Sequence, residues 1–217
     1  MPPILAMTAG QITQILRILA DAYPDAHCEL NFNSPFQLLI AVILSAQCTD
    51  KRVNIVTERL FAKYAMPEDF VQLSQAELEA EIKECGLFHT KAKHILATCS
   101  ELLQKFHGQV PADLALLVGL PGVGRKTANV VASNAFGIPA IGVDTHVLRV
   151  ANRIGLANSQ KVEQVEMQLM QVIPQEQWIN SHHRLVWHGR RVCEARHPKC
   201  AICPLQQNCR YFAALGA

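Results

Sequence analysis

Apolar residues in this chain recur at helical rather than strand spacing. Between Gln11 and Tyr23, Ile12, Ile15, Leu16 and Leu19 share one helix face. Ser34-Pro35-Phe36-Gln37 supplies an N-cap, a proline at the first helical position and a glutamine placed for a capping box. The run Leu38 to Leu44 that follows reads as a buried helix. Ser74-Gln75-Ala76-Glu77 is a second capping box, opening a helix towards Cys85-Gly86. Further helices are expected over Lys91 to Phe106, from Asp113 to near Gly119, over Arg125 to Phe136 with Gly137 and Pro139 as its stop, and from Asp144 to Gly155. Two more are expected over Ser159 to Ile173 and Gln175 to Gly189. Alternating strand patterns, repeats and low-complexity segments are absent, so the fold class is all-α. The best candidate boundary is Gly137 to Val143, where Gly and Pro cluster.

Composition agrees with a folded chain. Of 217 residues half are hydrophobic and 18% are charged, which excludes disorder and allows a sizeable core. The longest apolar run, Leu38 to Leu44, is too short to span a bilayer. No basic segment leads into an apolar one at the N-terminus. A soluble cytoplasmic protein with no membrane partner is the expectation.

Net charge is only +2, but it is unevenly placed. Arg184, Arg190, Arg191, Arg196, Lys199 and Arg210 face a single acid, Glu194, in the C-terminal segment, while the rest of the chain is net negative. A basic end suits contact with phosphates; a solvated tail explains it equally well. Cysteines are uneven too. Cys28, Cys48, Cys85 and Cys99 lie scattered in helix-like segments and read as small apolar residues. Cys193, Cys200, Cys203 and Cys209 crowd into 17 residues, as metal ligands do.

The densest motif is Leu120-Pro121-Gly122-Val123-Gly124-Arg125-Lys126-Thr127-Ala128. Pro121 stops one helix, and Gly122 and Gly124 permit positive φ and close backbone approach. Val123 can plug back into the core. The next helix then opens with free N–H groups at the turn, a ready anion site. The pattern resembles the helix-hairpin-helix, which grips a DNA backbone without reading bases; a plain tight turn between helices is the bland alternative. Lys126 falls in the first turn of the second helix, where the macrodipole disfavours a cation. That suits an amine nucleophile, though a phosphate contact explains the residue as well. Asp144, in Gly142-Val143-Asp144-Thr145-His146-Val147, is a good N-cap. One of its oxygens could cap while the other takes a proton or steadies cationic charge on a sugar.

The stretches LPGVGRKTANVV (Leu120 to Val131) and VDTHVLRVANR (Val143 to Arg153) resemble the endonuclease III family of DNA glycosylases. LLIAVILSAQCTD, ECGLFHTKA, HHRLVWHGR and the terminal cysteines follow in that family's order. The resemblance implies that Lys126 is the nucleophile and Asp144 the catalytic aspartate. Lys126 would attack C1′ of a damaged nucleoside, expel the base and leave a Schiff base, from which β-elimination cuts the strand on the 3′ side. The damaged base must first leave the stack. Gln47 and Leu87 match the family positions that fill the hole and contact the opposite base; a helix-end polar residue and a core leucine are the ordinary alternatives. Gly122, Val123, Gly124 and Arg125 would hold the DNA backbone. Cys48 departs from the alanine or threonine expected there.

The four terminal cysteines are spaced C-x6-C-x2-C-x5-C. Spacing alone leaves zinc and a 4Fe–4S cluster open, with a tilt to iron because a second C-x2-C pair is missing. The family pattern implies the 4Fe–4S cluster. Its loop would present Arg196, His197 and Lys199 to phosphates. The resemblance further implies two helical lobes. A six-helix domain over 28–138 would carry the hairpin, and an iron–sulfur domain would be formed by 1–27 and 139–217, with the active site in the cleft between. It implies a monomer acting on double-stranded damaged DNA, with oxidised pyrimidines as the expected lesions. The rivals are an adenine-mismatch glycosylase, disfavoured by Lys126 and by the chain's end at Ala217, a non-catalytic DNA-binding iron–sulfur module, and an electron-transfer protein.

Overall fold

The computed structural model describes residues 7–216, and all regular structure among them is helical. In chain order the helices are α1 (Ala9–Ala22), α2 (Pro35–Leu44), α3 (Asp50–Lys63), α4 (Pro67–Phe70), α5 (Gln75–Ile82), α6 (Phe88–Phe106), α7 (Leu114–Gly119), α8 (Arg125–Phe136), α9 (Thr145–Ile154), α10 (Val162–Val172), α11 (Trp178–Arg191) and α12 (Arg210–Leu215). No described helix is long and apolar enough to cross a membrane. Backbone contacts divide the chain into two units. One is Cys28–Ile138; the other combines the described residues up to His27 with those from Pro139 onward.

The unit Cys28–Ile138 is built around α2. Eight of its ten residues are buried, because its sequence is apolar on every face. Fully burying each such side chain stabilises by roughly 1.5–3 kcal/mol, an upper figure. α3 and α8 pack against α2, and α4 and α5 against α6. Ser34 caps α2 through Gln37 N–H at 3.1 Å. Gln37 does not complete a reciprocal box: its side chain accepts from Asn33 N–H at 2.8 Å, one residue further out. The unit holds seven described α-helices where six are expected, α4 being a single turn. α3 falls between the sequence expectations. Its buried Val53, Val56, Thr57 and Leu60 do have helical spacing, diluted by the β-branched residues among them. α6 starts at Phe88, three residues before the expected Lys91, because Leu87 turns left-handed and lets the helix begin at once.

The other unit rests on α9. Val147, Val150, Ala151 and Ile154 make one apolar stripe, packed against α11. α1 joins the same core through Ile15, Leu16 and Leu19. Tyr23 Oη, just past its end, meets His188 Nδ1 of α11 at 2.9 Å. Beyond α11 regular structure thins to two 3-10 turns, Cys200–Ile202 and Gln206–Asn208, and then α12.

Candidate active site and metal centre

The Gly-rich hairpin joins α7 to α8. Val123 N–H donates to Leu120 O at 3.1 Å, and the Val123 side chain is buried in the core of its unit. Thr98 of α6 fixes the turn from behind, its hydroxyl donating to Pro121 O at 2.6 Å. Gly122 adopts φ 72°, and a Cβ there would lie 2.7 Å from His94, so only glycine fits. Gly124 does not need positive φ: it takes φ −80° and ψ 171°, an extended N-cap that any residue could adopt. No side chain caps α8, which leaves its first N–H groups to a ligand. Val123, with its side chain inward, can offer only backbone to that ligand. Arg125 and Lys126 are both exposed, in the first turn of α8.

Asp144 is half-buried and caps α9. Its Oδ1 accepts from His146 N–H at 2.9 Å and Val147 N–H at 2.8 Å. Both capping bonds fall on Oδ1, so Oδ2 has no part in them. A carboxylate with one oxygen committed and one spare can cap a helix and act on a substrate together.

Gln47 and Leu87 share an unusual feature. Three described non-glycine residues have positive φ, and these are two of them, at 53° and 48°. Left-handed backbone costs a non-glycine residue roughly 1–2 kcal/mol, and strain of this kind collects at functional sites. Both side chains are exposed, Leu87 to 55%. The core reading of Leu87 therefore fails.

Cys193, Cys200, Cys203 and Cys209 line one cavity together. Cys193 is buried, the other three are half-buried, and none is in a disulfide. Among the described residues no three His, Cys, Asp or Glu side chains converge tightly enough for one metal ion. Burial pushes the Cys203 and Cys209 thiols up, so a cation in the cavity would be needed to hold them as thiolates. Arg196, His197 and Lys199 are exposed on the intervening loop. Lys199 is already partnered: its Nζ pairs with Glu194 at 2.7 Å and donates to Arg191 O at 3.1 Å.

Several supporting residues escape sequence reasoning. Arg149 donates to Cys193 O at 3.0 Å and Gly189 O at 2.9 Å. Arg153 donates to Glu194 O at 2.7 Å and Ala195 O at 2.8 Å, approaches Cys193 Sγ at 3.4 Å and stacks on Tyr211. The two arginines sit four apart on α9, so a shared helix face is the one signal the sequence offers. His94 and Thr98, which shape the hairpin from α6, share the same spacing.

A family model described as HhH-GPD superfamily base excision DNA repair protein matches residues 40–175. Endonuclease III of Bacillus subtilis (strain 168) is 50% identical over 201 residues, covering 92% of each chain. Endonuclease III of Escherichia coli (strain K12) is 46% identical over 205 residues, covering 94% of this chain and 97% of that one. A solved trapped endonuclease III–DNA covalent intermediate, with an estranged adenine, matches with TM-score 0.93 at 50% identity over 97% of this chain and 100% of that one. The chain belongs to the endonuclease III family, within the HhH-GPD superfamily of base excision DNA repair proteins.

Proposed function

We propose that Lys126 is the nucleophile, and Asp144 the assisting carboxylate, of a base-excision enzyme acting on duplex DNA. The protein is a DNA glycosylase and abasic-site lyase that removes oxidised pyrimidines. One observation carries the residue assignment: an exposed lysine stands in the first turn of α8, directly after a hairpin built to hold an anion. DNA phosphate at the N–H groups of α8, with Arg125 beside it, would bring a deoxyribose within reach of Lys126. The neutral amine attacks C1′, and the bond from C1′ to the base breaks. Loss of the sugar's ring oxygen from C1′ gives an imine. Removal of a C2′ proton then expels the 3′ phosphate oxygen. Asp144 Oδ2 accepts protons and steadies positive charge on the sugar. Gln47 and Leu87 enter the stack, leucine as the apolar wedge and glutamine bonding base edges.

The four cysteines fit a 4Fe–4S cluster better than zinc. A single zinc needs its sulfurs within about 2.3 Å of one centre, whereas a cluster takes thiolates spread around a larger body. These cysteines surround a cavity without converging on a point. The cluster would fold the loop from Cys193 to Cys209, which would place Arg196 and Lys199 near phosphates. The working form is a monomer on double-stranded damaged DNA, in the cytoplasm and, in a bacterial cell, on the nucleoid.

Borohydride trapping tests the nucleophile. Lys126→Gln should lose both strand cleavage and the trapped adduct on abasic DNA while still binding DNA. A trapped adduct in that variant means another amine reacts, and the assignment falls.

A further inference from the structure

Lys91 is a lysine where a lysine is least expected. It lies on α6, one turn in from Leu87, and is only 4% exposed. Its Nζ donates to Leu44 O and to Cys85 O, each at 2.8 Å. Leu44 is the last residue of α2, three residues before Gln47. Cys85 ends the 3-10 turn Lys83–Cys85, two residues before Leu87. The backbone of the same residue completes the arrangement, Lys91 N–H donating to Leu87 O at 3.0 Å. One residue thus holds three carbonyls, and they belong to the two segments that lead into Gln47 and Leu87.

We infer that Lys91 is the positioning residue that sets both loops at once, and so governs how readily a base leaves duplex DNA. The inference rests on the reading of Gln47 and Leu87 as the residues that enter the stack.

Carbonyls at helix ends lack partners within the helix and carry the negative end of its dipole, so a buried ammonium suits them. Burial pushes the Lys91 pKa down, yet a neutral amine keeps two N–H groups, enough for both bonds. Finally, filling a core position with a lysine is costly unless its bonds do something that an apolar side chain cannot. Here they join the two segments that lead into Gln47 and Leu87, both held left-handed against their own preference. A methionine could fill the same volume but could not tie the two segments together. Lys91 acts through those loops and not on the sugar, so it is a positioning and not a catalytic residue.

The test compares two substrates under single turnover. One is thymine glycol in duplex DNA, scored for base release. The other is an abasic site in single-stranded DNA, scored by borohydride trapping, where no base need leave a stack. Lys91→Met should slow release from the duplex by about tenfold to a hundredfold, the usual effect of a small misplacement. Trapping on the single strand should stay within about twofold of wild type. Lys91→Arg, which keeps the donors, should recover part of the loss. Added to a Gln47→Ala/Leu87→Ala background, Lys91→Met should cost nothing more, since the loops it sets no longer carry the residues that matter.

Other results overturn the inference. Equal loss on both substrates makes Lys91 a general support of the fold. A normal duplex rate in Lys91→Met, beside a slow Gln47→Ala/Leu87→Ala variant, removes Lys91 alone. A normal duplex rate in that double variant sinks the stack-entry reading itself. If Lys91→Met does not fold, Lys91→Gln, which keeps one donor, carries the same two-substrate ratio; failure of both to fold makes the role structural.

Discussion

The hairpin at Leu120 to Lys126 and the loop from Cys193 to Cys209 keep their shapes by different means. The hairpin is held by packing. Val123 is sunk in an aliphatic core, Thr98 bonds the turn from behind, and Gly122 lies against His94 where no side chain fits. The cysteine loop has little of this. From Cys200 to Cys209 only Leu205 is buried, and the backbone makes isolated 3-10 turns. Arg149 and Arg153 hold the loop's first residues by their carbonyls, and the four thiols do the rest only if something binds them. One region is stabilised by water leaving apolar surface; on the proposed reading, the other depends on the cluster its thiols would hold. They should respond differently to every perturbation that separates those two forces.

Removing the ligand gives the largest effect. Cys203→Ser should cost iron, visible colour and several kcal/mol of local stability, as loss of a structural metal does. Amide exchange over residues 193–209 should rise towards that of an open chain, while amides of 120–128 keep their protection. Equal protection in both regions before and after iron loss would mean that the loop folds unaided.

The converse change acts on packing. Val123→Ala leaves a void in the hairpin core and should cost about 2 kcal/mol, read by urea melting. Iron content should not move. DNA affinity should fall, because Val123 anchors the backbone proposed to meet the phosphate. A variant that lost iron as well would show that the two regions are not held separately.

Acid should also tell them apart. His183 of α11 is buried beside His182 and His27. Burial first, then those two neighbours, push its pKa down to about 3 from the ordinary 6.5. Between those values the unfolded chain binds the extra proton. Stability is therefore full above about pH 6.5 and falls as pH drops, by up to about 1.4 kcal/mol per unit. In the hairpin's unit, Glu77, Glu79 and Glu84 are held below the usual carboxylate range by hydrogen bonds, so they lose stability only under more acid conditions. Thermal melts of wild type and His183→Gln at pH 7 and pH 5 decide it. The variant should show the flatter dependence, and identical slopes would remove His183 from the account.

Much of this contrast is legible in the amino-acid sequence. The hairpin announces itself because its chemistry is local: proline, two glycines, an apolar plug and two bases fall within a few residues. The cysteines do so by spacing, although spacing leaves zinc and iron open. Asp144 as a cap is equally readable, since an N-cap is settled by its own next three residues. What the sequence hides depends on residues distant along the chain. Lys91 looks like a surface lysine until α2 and the 3-10 turn place Leu44 O and Cys85 O above it. The left-handed backbone of Gln47 and Leu87 has no local mark, because neither residue prefers that region. α3 escapes notice although its apolar spacing is present. Lys199 shows the limit from the other side: a charge can be read from sequence, but its partner cannot.

That partner sets the smallest prediction. Lys199 is about half exposed, and Glu194 holds it at 2.7 Å, which keeps the Glu194 pKa below the usual range. A free lysine on a phosphate releases about one counterion, so its removal flattens the slope of log affinity against log salt by roughly one unit. A lysine already paired must share its charge or break its pair, and an exposed pair contributes little to stability. Lys199→Ala should therefore flatten the slope by less than one unit, equally for damaged and undamaged DNA, with iron content intact. Glu194→Gln should do the reverse. It frees the ammonium and removes a repelling charge, so affinity should rise and the slope steepen. Base release at saturating enzyme should change in neither variant, since the contact proposed for the loop is with backbone and not with the reacting sugar. If Glu194→Gln leaves the slope where it was, the ammonium does not reach DNA. The basic residues of the loop then lie over the cysteine site as a solvated cover, and the hairpin must supply the phosphate grip without them.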